Sequence, residues 1–339
     1  MIPERWRPPY RCALVERREF LATALLALFS PMAAAAESPS VRRVGLLASS
    51  SLDSARTSIG AFRAELGRLG WHDGENLRIE ARFAEEQYER LPRFAAELVR
   101  LKVDVIFAQA TPALQAAKRA TATIPIVFET LGDAVSTGAV SNLARPGGNV
   151  TGVSGFAPEL NGKRLELVRE LMPRATRIAL LVNRTNPATK VVLSRAAEVA
   201  AAMRLVLFVA DTPSASALDR SFDAIMEQRS EALVLVADPM LFGQRRRIID
   251  FAARQRLPAV YEYRLFPELG GLLSYGPEPQ ERYRRAAVYV DRILRGASAG
   301  ELPVEQPSTF ELVLNLKSAK AIGVAIPPSL LARADQVIE

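Results

Sequence analysis

The stretch Val41-Arg-Arg-Val-Gly-Leu-Leu-Ala48, continued by Ser49-Ser-Ser-Leu-Asp53 and then by Ile59, Phe62, Leu66 and Leu69, decides the fold class of this 339-residue chain. The first eight residues are too few for an ordinary helix and read as a buried strand. The apolar positions after them recur at helical spacing, so the strand passes through a polar turn into an amphipathic helix. The same unit repeats outward. Leu77 to Phe83 reads as a strand, Tyr88 to Arg100 as a helix, Val103 to Ala108 as a strand, Thr111 to Ala120 as a helix and Ile124 to Phe128 as a strand. After Arg145-Pro-Gly-Gly-Asn149 the rhythm restarts: helix Glu159 to Leu171, strand Arg177 to Val182, helix Ala188 to Met203, strand Leu205 to Val209 and helix Ser216 to Arg229. Strand Ala232 to Val236, helix Met240 to Arg256, strands Ala259 to Tyr261 and Leu272 to Tyr275, helix Gln280 to Arg295 and strand Phe310 to Leu314 complete it. Apolar strands alternating with helices imply an α/β protein with parallel sheets covered on both faces, here in two doubly wound, Rossmann-like units.

Residues 1–36 fall outside this rhythm. Five arginines and three glutamates flank or precede the apolar run Phe20-Leu-Ala-Thr-Ala-Leu-Leu-Ala-Leu-Phe29, and Ala33 to Ala36 supply small residues for cleavage. Ten residues of helix span about 15 Å, half of a hydrocarbon core of roughly 30 Å, so the run reads as a cleavable export signal rather than an anchor. Arg17-Arg18-Glu19-Phe20-Leu21 fits a twin-arginine signal; a Sec signal with a chance Arg pair accounts for the same residues. Cleavage would take the formal charge from +7 to +5 and remove Cys12, the one cysteine. The mature chain would then have no disulfide and no thiolate chemistry.

The inventory of reactive groups is thin. The turn after the first strand, Gly45-Leu-Leu-Ala-Ser-Ser, lacks the glycines that let a backbone approach a dinucleotide pyrophosphate. Six residues, not four, separate the glycines of Gly155 to Gly162, and Arg164 stands where a P-loop needs Ser or Thr. Gly152-Val-Ser154-Gly155 is one residue short of a nucleophile elbow, and His72, the one histidine, sits in a polar turn. No catalytic residue, cofactor or metal is therefore expected. The basic clusters Arg245-Arg-Arg247 and Arg282 with Arg284-Arg285 lie in amphipathic helices among acidic neighbours and read as solvated faces, so no nucleic acid is expected as partner.

Open α/β sheets bind ligands at the carboxyl ends of their strands, where loops lead into helices. The polar junctions are Ser49 to Asp53, Gln109 to Pro112, Thr130 to Asp133, Asn183 to Pro187, Asp238 to Met240 and Tyr261 to Arg264. From them come the candidate ligand residues Ser49, Ser50, Asp53, Thr111, Asp133, Asn183, Asn186, Asp238, Glu262, Tyr263 and Arg264. Helix capping is the competing role for each Ser, Thr, Asn and Asp. Tyr261, Tyr263, Phe156 and Tyr275 are candidate ring partners, with core packing as their alternative.

Several strings carry a family resemblance: Leu69-Gly-Trp-x-x-Gly-x-Asn76, Ala110-Thr-Pro-Ala113, Ile124-Pro-Ile-Val-Phe128, Arg145-Pro-Gly-Gly-Asn-Val-Thr-Gly-Val-Ser154, Pro303-Val-Glu-Gln-Pro307 and Ile326 to Asp335. Over residues 41–335 the chain resembles the ABC-transporter substrate-binding proteins that include tryptophan- and tyrosine-binding members. The resemblance implies a periplasmic-binding-protein type I fold whose two lobes are joined by a three-crossover hinge, lobe I at 37–152 plus 278–299 and lobe II at 153–277 plus 300–339. It implies a periplasmic, monomeric receptor that closes on a small aromatic or carboxylate-bearing ligand and delivers it to an ABC permease. A sensor of the same fold signalling through a membrane partner, or a doubly wound enzyme, are the alternatives. Where amino-acid binders of the family often carry Ser-Asp, this chain has Glu262-Tyr263-Arg264, and an Arg there would favour a carboxylate.

Overall fold

The computed structural model describes residues 41–339. Residues 1–36, read from the sequence as an export signal, lie outside the described residues. The α/β class is as expected, in two sheets.

The first sheet holds β1 (Arg42–Ala48), β2 (Leu77–Phe83), β3 (Val105–Gln109), β4 (Ile126–Thr130) and β5 (Val150–Ser154), in the order β2-β1-β3-β4-β5 and parallel throughout. Helices α1 (Leu52–Arg68), α2 (Leu91–Arg100) and α3 (Ala110–Ala120) connect them. β3, β4 and β5 are buried along their whole length because both faces are covered, which is why they are written as continuous apolar runs. Gly152 of the Pro-Gly-Gly-Asn-Val-Thr-Gly string has φ +148°, and a Cβ there would lie 2.1 Å from the Phe128 carbonyl oxygen. Only glycine lets β5 approach β4 in that conformation.

Next come α4 (Ala157–Leu171), β6 (Arg177–Val182), α5 (Thr189–Ala202), β7 (Val206–Asp211), α6 (Leu218–Glu227), β8 (Ala232–Leu235), α7 (Pro239–Gly243), α8 (Arg245–Arg254), β9 (Ala259–Tyr261), α9 (Leu265–Glu268) and β10 (Leu273–Gly276). The chain closes with α10 (Pro279–Leu294), β11 (Glu311–Asn315), α11 (Leu316–Ile322), α12 (Pro328–Leu331) and β12 (Gln336–Ile338). The second sheet has the order β12-β11-β10-β9-β8-β6-β7. The helix expected over Met240 to Arg256 is two helices that break at Gln244, after a turn started by the Asp238 cap and Pro239.

Helix α10 does not cover the sheet it leaves. Its Tyr283, Ala286, Tyr289, Val290 and Ile293 pack with Val44, Ile59, Phe62 and Phe107 against the first sheet. Phe62 stacks on Phe107 at 4.4 Å and Tyr283 meets Phe107 edge-on at 5.6 Å. The chain thus passes between the sheets three times, after Ser154, after Gly276 and after the backbone bonds that join Glu305 to Gly152 and Ser154. On its last return it enters at the edge from which β10 departed, so β11 runs antiparallel to β10 in an otherwise parallel sheet. Periodicity implied parallel pairing throughout; the return crossing is what reverses this strand.

Candidate functional site

The carboxyl ends of both sheets face one cavity of about 100 Å³.

The first-sheet wall starts at the β1 turn. Gln109 Oε1 accepts hydrogen bonds from the backbone N–H of Ser49 (2.9 Å) and Ser50 (3.2 Å) and from the Ser50 hydroxyl (3.2 Å). Ser49 Oγ donates to the Gln109 carbonyl and accepts from the Ala113 N–H, so Ser49 braces the wall from behind while Ser50 lines it. Ala110 takes φ +68° at the elbow between β3 and α3, a left-handed conformation uncommon for a residue with a Cβ. That elbow turns the start of α3, which has no side-chain cap, toward the cavity. The Thr111 and Thr130 hydroxyls share a 2.6 Å hydrogen bond beside it.

The second-sheet wall carries Asn186, Thr189, Val192, Asp238, Phe242 and Tyr263. Asp238 caps α7: its Oδ1 accepts from the N–H of Met240 (2.9 Å) and Leu241 (3.1 Å) and from Asn183 Nδ2 (3.2 Å). Its Oδ2 accepts from Asn186 Nδ2 (2.9 Å) and from the Tyr88 hydroxyl (2.8 Å). Burial pushes the Asp238 carboxyl up from its ordinary range, against the pull of these donors. Burial and the nearby Asp238 charge push the Tyr88 phenol well up.

At the hinge end, Arg282 of α10 pairs with Glu129 of β4, and its Nη2 donates to the Tyr263 hydroxyl at 3.1 Å. Arg282 is 3% exposed. Burial opposes its charge, but Glu129 and the neighbouring tyrosines outweigh that, and its pKa moves up.

Of the expected residues, Ser50, Thr111, Asn186, Asp238 and Tyr263 meet at the cavity, with Ser49 and Asn183 buried directly behind. Glu262 is buried away from it with neither carboxylate oxygen partnered, and burial pushes it up to about 7 against the pull of Arg164. Asp53 is exposed and pairs with Arg56; Asp133 accepts from the Ser136 N–H outside the cavity. Arg264 needs correction as a carboxylate anchor. It lies on the outside of the second sheet, bonded to Glu268 (2.9 Å) and Gln336 (2.7 Å). Among the ring candidates Tyr263 lines the cavity, whereas Tyr261 stacks on Phe266 in the core and Phe156 and Tyr275 pack on Phe310. Gln109, a junction residue, proves to be the clamp of the β1 turn. Glu129, Phe242, Tyr88 and Arg282 were not anticipated. Arg282 was grouped with Arg284 and Arg285 as a solvated face; its signal is its place in the buried stripe of α10, four residues before Ala286.

Two lobes of doubly wound α/β structure, crossed three times with a cavity between the carboxyl ends of their sheets, define the periplasmic-binding-protein type I class. Among the described residues no group of three or more His, Cys, Asp or Glu could hold a metal, and no helix is long and apolar enough to cross a membrane. The family model for ABC transporter substrate binding protein matches residues 43–338, and the chain belongs to that family. It is similar to a tyrosine-binding protein of Clostridioides difficile (strain R20291), 26% identical over 274 residues, 81% of this chain and 78% of that protein. A conserved domain protein from Vibrio cholerae O1 biovar eltor is 26% identical with a TM-score of 0.82, covering 88% of this chain and 99% of that one. The ABC domain in complex with L-Trp from Streptococcus pneumonia is 24% identical with a TM-score of 0.80, covering 88% of this chain and all of that one.

Proposed function

We propose that the chain is the exported solute receptor of an ABC importer and closes as a monomer on a small ligand carrying an aromatic ring and a carboxylate, an aromatic amino acid foremost. The observation that carries this reading is a cavity walled from both lobes, with Ser50, Thr111 and the start of α3 on one side and Phe242 and Tyr263 on the other. The positive end of the α3 helix dipole suits a carboxylate, and the rings suit an aromatic face. Arg264 being elsewhere removes the reason to prefer a plain acid over an amino acid. The tyrosine- and L-Trp-binding relatives support the same ligand class.

The magnitudes are adequate. Burying about 150–200 Å² of ring at roughly 25 cal/mol/Å² gives about 4–5 kcal/mol, and two charge-assisted hydrogen bonds add roughly 1.5–3 kcal/mol each. After association entropy this reaches the roughly −8 kcal/mol of a micromolar site. In this reading lobe I is 37–152 plus 278–299 and lobe II is 153–277 plus 300–339, supported by the packing of α10 on the first sheet. Residues 1–36 direct the chain to the periplasm, and an inner-membrane permease receives the closed form.

Native mass spectrometry of the purified mature protein, followed by a thermal-shift panel of L-tyrosine, L-tryptophan, L-phenylalanine and 4-hydroxybenzoate, tests the proposal. At least one aromatic amino acid should raise Tm and be recovered unchanged. Conversion of the bound compound to a product, or stabilisation by none of the panel, would sink it.

A further inference from the structure

Asp238 lines the cavity, yet its carboxylate is already full. Two oxygens offer about four lone-pair positions, and five donors occupy them: the N–H groups of Met240 and Leu241, the amides of Asn183 and Asn186, and the Tyr88 hydroxyl. Four of these belong to the second-sheet side. The fifth comes from the other side, on the segment that follows β2.

That segment is built to reach across. Glu85 (φ 53°) and Glu86 (φ 60°) are consecutive residues with a Cβ in the left-handed region, just ahead of Tyr88. Such strain persists only where the surroundings hold it. Here the Glu86 N–H donates to the Ser49 carbonyl at 3.0 Å, and Glu86 Oε1 accepts from the Ser51 N–H at 3.1 Å. Gly243 leaves room for the turn: a Cβ there would lie 2.9 Å from Glu86 Oε1. The Tyr88 ring packs against both the α2–α3 core of the first sheet and the α6–α8 core of the second. Its hydroxyl also accepts from the Met240 N–H at 3.2 Å, so the contact is bonded in both directions. Tyr88 itself does not line the cavity.

We infer that Tyr88 and Asp238 form a latch between the lobes, and that Asp238 serves closure rather than ligand contact. Tyr88 is a positioning residue: it ties the two sides together through Asp238 and Met240 and does not itself line the cavity. The inference rests on the proposal that the two lobes close on a ligand, but its test needs none.

The test is hydrogen exchange on the mature protein with no ligand added, comparing wild type with Tyr88→Phe and with Asp238→Asn. Tyr88→Phe keeps the ring and removes both hydrogen bonds; peptides covering residues 236–244, in the opposite lobe, should exchange about tenfold faster. Asp238→Asn should accelerate residues 84–92 in the same way. Peptides covering β3 and β6 should be unchanged in both variants, which reports an intact fold. Acceleration confined to each variant's own lobe, or none, overturns the latch. Because no ligand takes part, that result leaves the receptor proposal standing, and a failed thermal-shift panel leaves the latch standing.

Discussion

Two buried arginine–glutamate couples flank the second crossover, and they are built differently. Arg282 and Glu129 touch, and Arg282 passes a further hydrogen bond to Tyr263. Arg164 and Glu262 are buried as deeply, but Arg164 donates from Nε to the Tyr275 carbonyl (3.0 Å) and from Nη1 to Asn161 Oδ1 (3.2 Å), while its Nη2 and both Glu262 oxygens lack a partner. The first couple lies among elements of the first sheet, and its hydrogen bond to Tyr263 reaches the second-sheet side at the end of the cavity. The second lies within one lobe, between α4 and the β9–β10 edge. Burial costs both couples alike, and only the first has the contact geometry that offsets the cost.

Breaking the closed couple should have the largest effect. Glu129→Ala leaves a buried guanidinium unpaired and should cost about 3–5 kcal/mol in urea unfolding; a loss under about 1 kcal/mol would mean that the pair is solvated. The open couple should behave in the opposite sense. The Glu262 carboxyl is near 7 when folded against an ordinary 4.5, so its contribution is fully present below about pH 4.5 and lost as pH rises through 7. Glu262→Gln should therefore stabilise by roughly 3 kcal/mol at pH 8 and change little at pH 4. Parallel unfolding midpoints for wild type and variant across that range would remove the contrast. The smallest effect belongs to Arg264, whose partners are exposed. Arg264→Ala should shift stability by about 0–1 kcal/mol and leave affinity for any aromatic amino acid that binds unchanged by titration calorimetry. A tenfold loss of affinity would restore it as an anchor.

Much of this was legible in the sequence. Val44 to Ala48, Val105 to Ala108 and Ile126 to Phe128 could be read as strands because burial on both faces leaves no polar alternation. Ser50, Thr111, Asn186, Asp238 and Tyr263 follow from the rule that strand carboxyl ends face the ligand. Arg264 obeys the same rule and still points elsewhere, because a short helix starting at Leu265 carries it toward Glu268. Arg282 could not be placed by periodicity, since only a return crossing takes α10 from one sheet to the other. Tyr88 was read as the start of a helix. The two left-handed residues that aim it toward Asp238 carry no glycine to announce them.

The packing of α10 on the first sheet has a consequence for how the chain is made. Synthesis delivers β1, α1 and β3 early, yet the helix that shields Phe62 and Phe107 begins at Pro279 of a 339-residue chain. Until that helix emerges, the N-terminal half presents an uncovered aromatic face, and contacts so distant in sequence form slowly. Synthesis therefore leaves a nascent chain whose first half must wait for its second, a window in which truncated products are prone to aggregate.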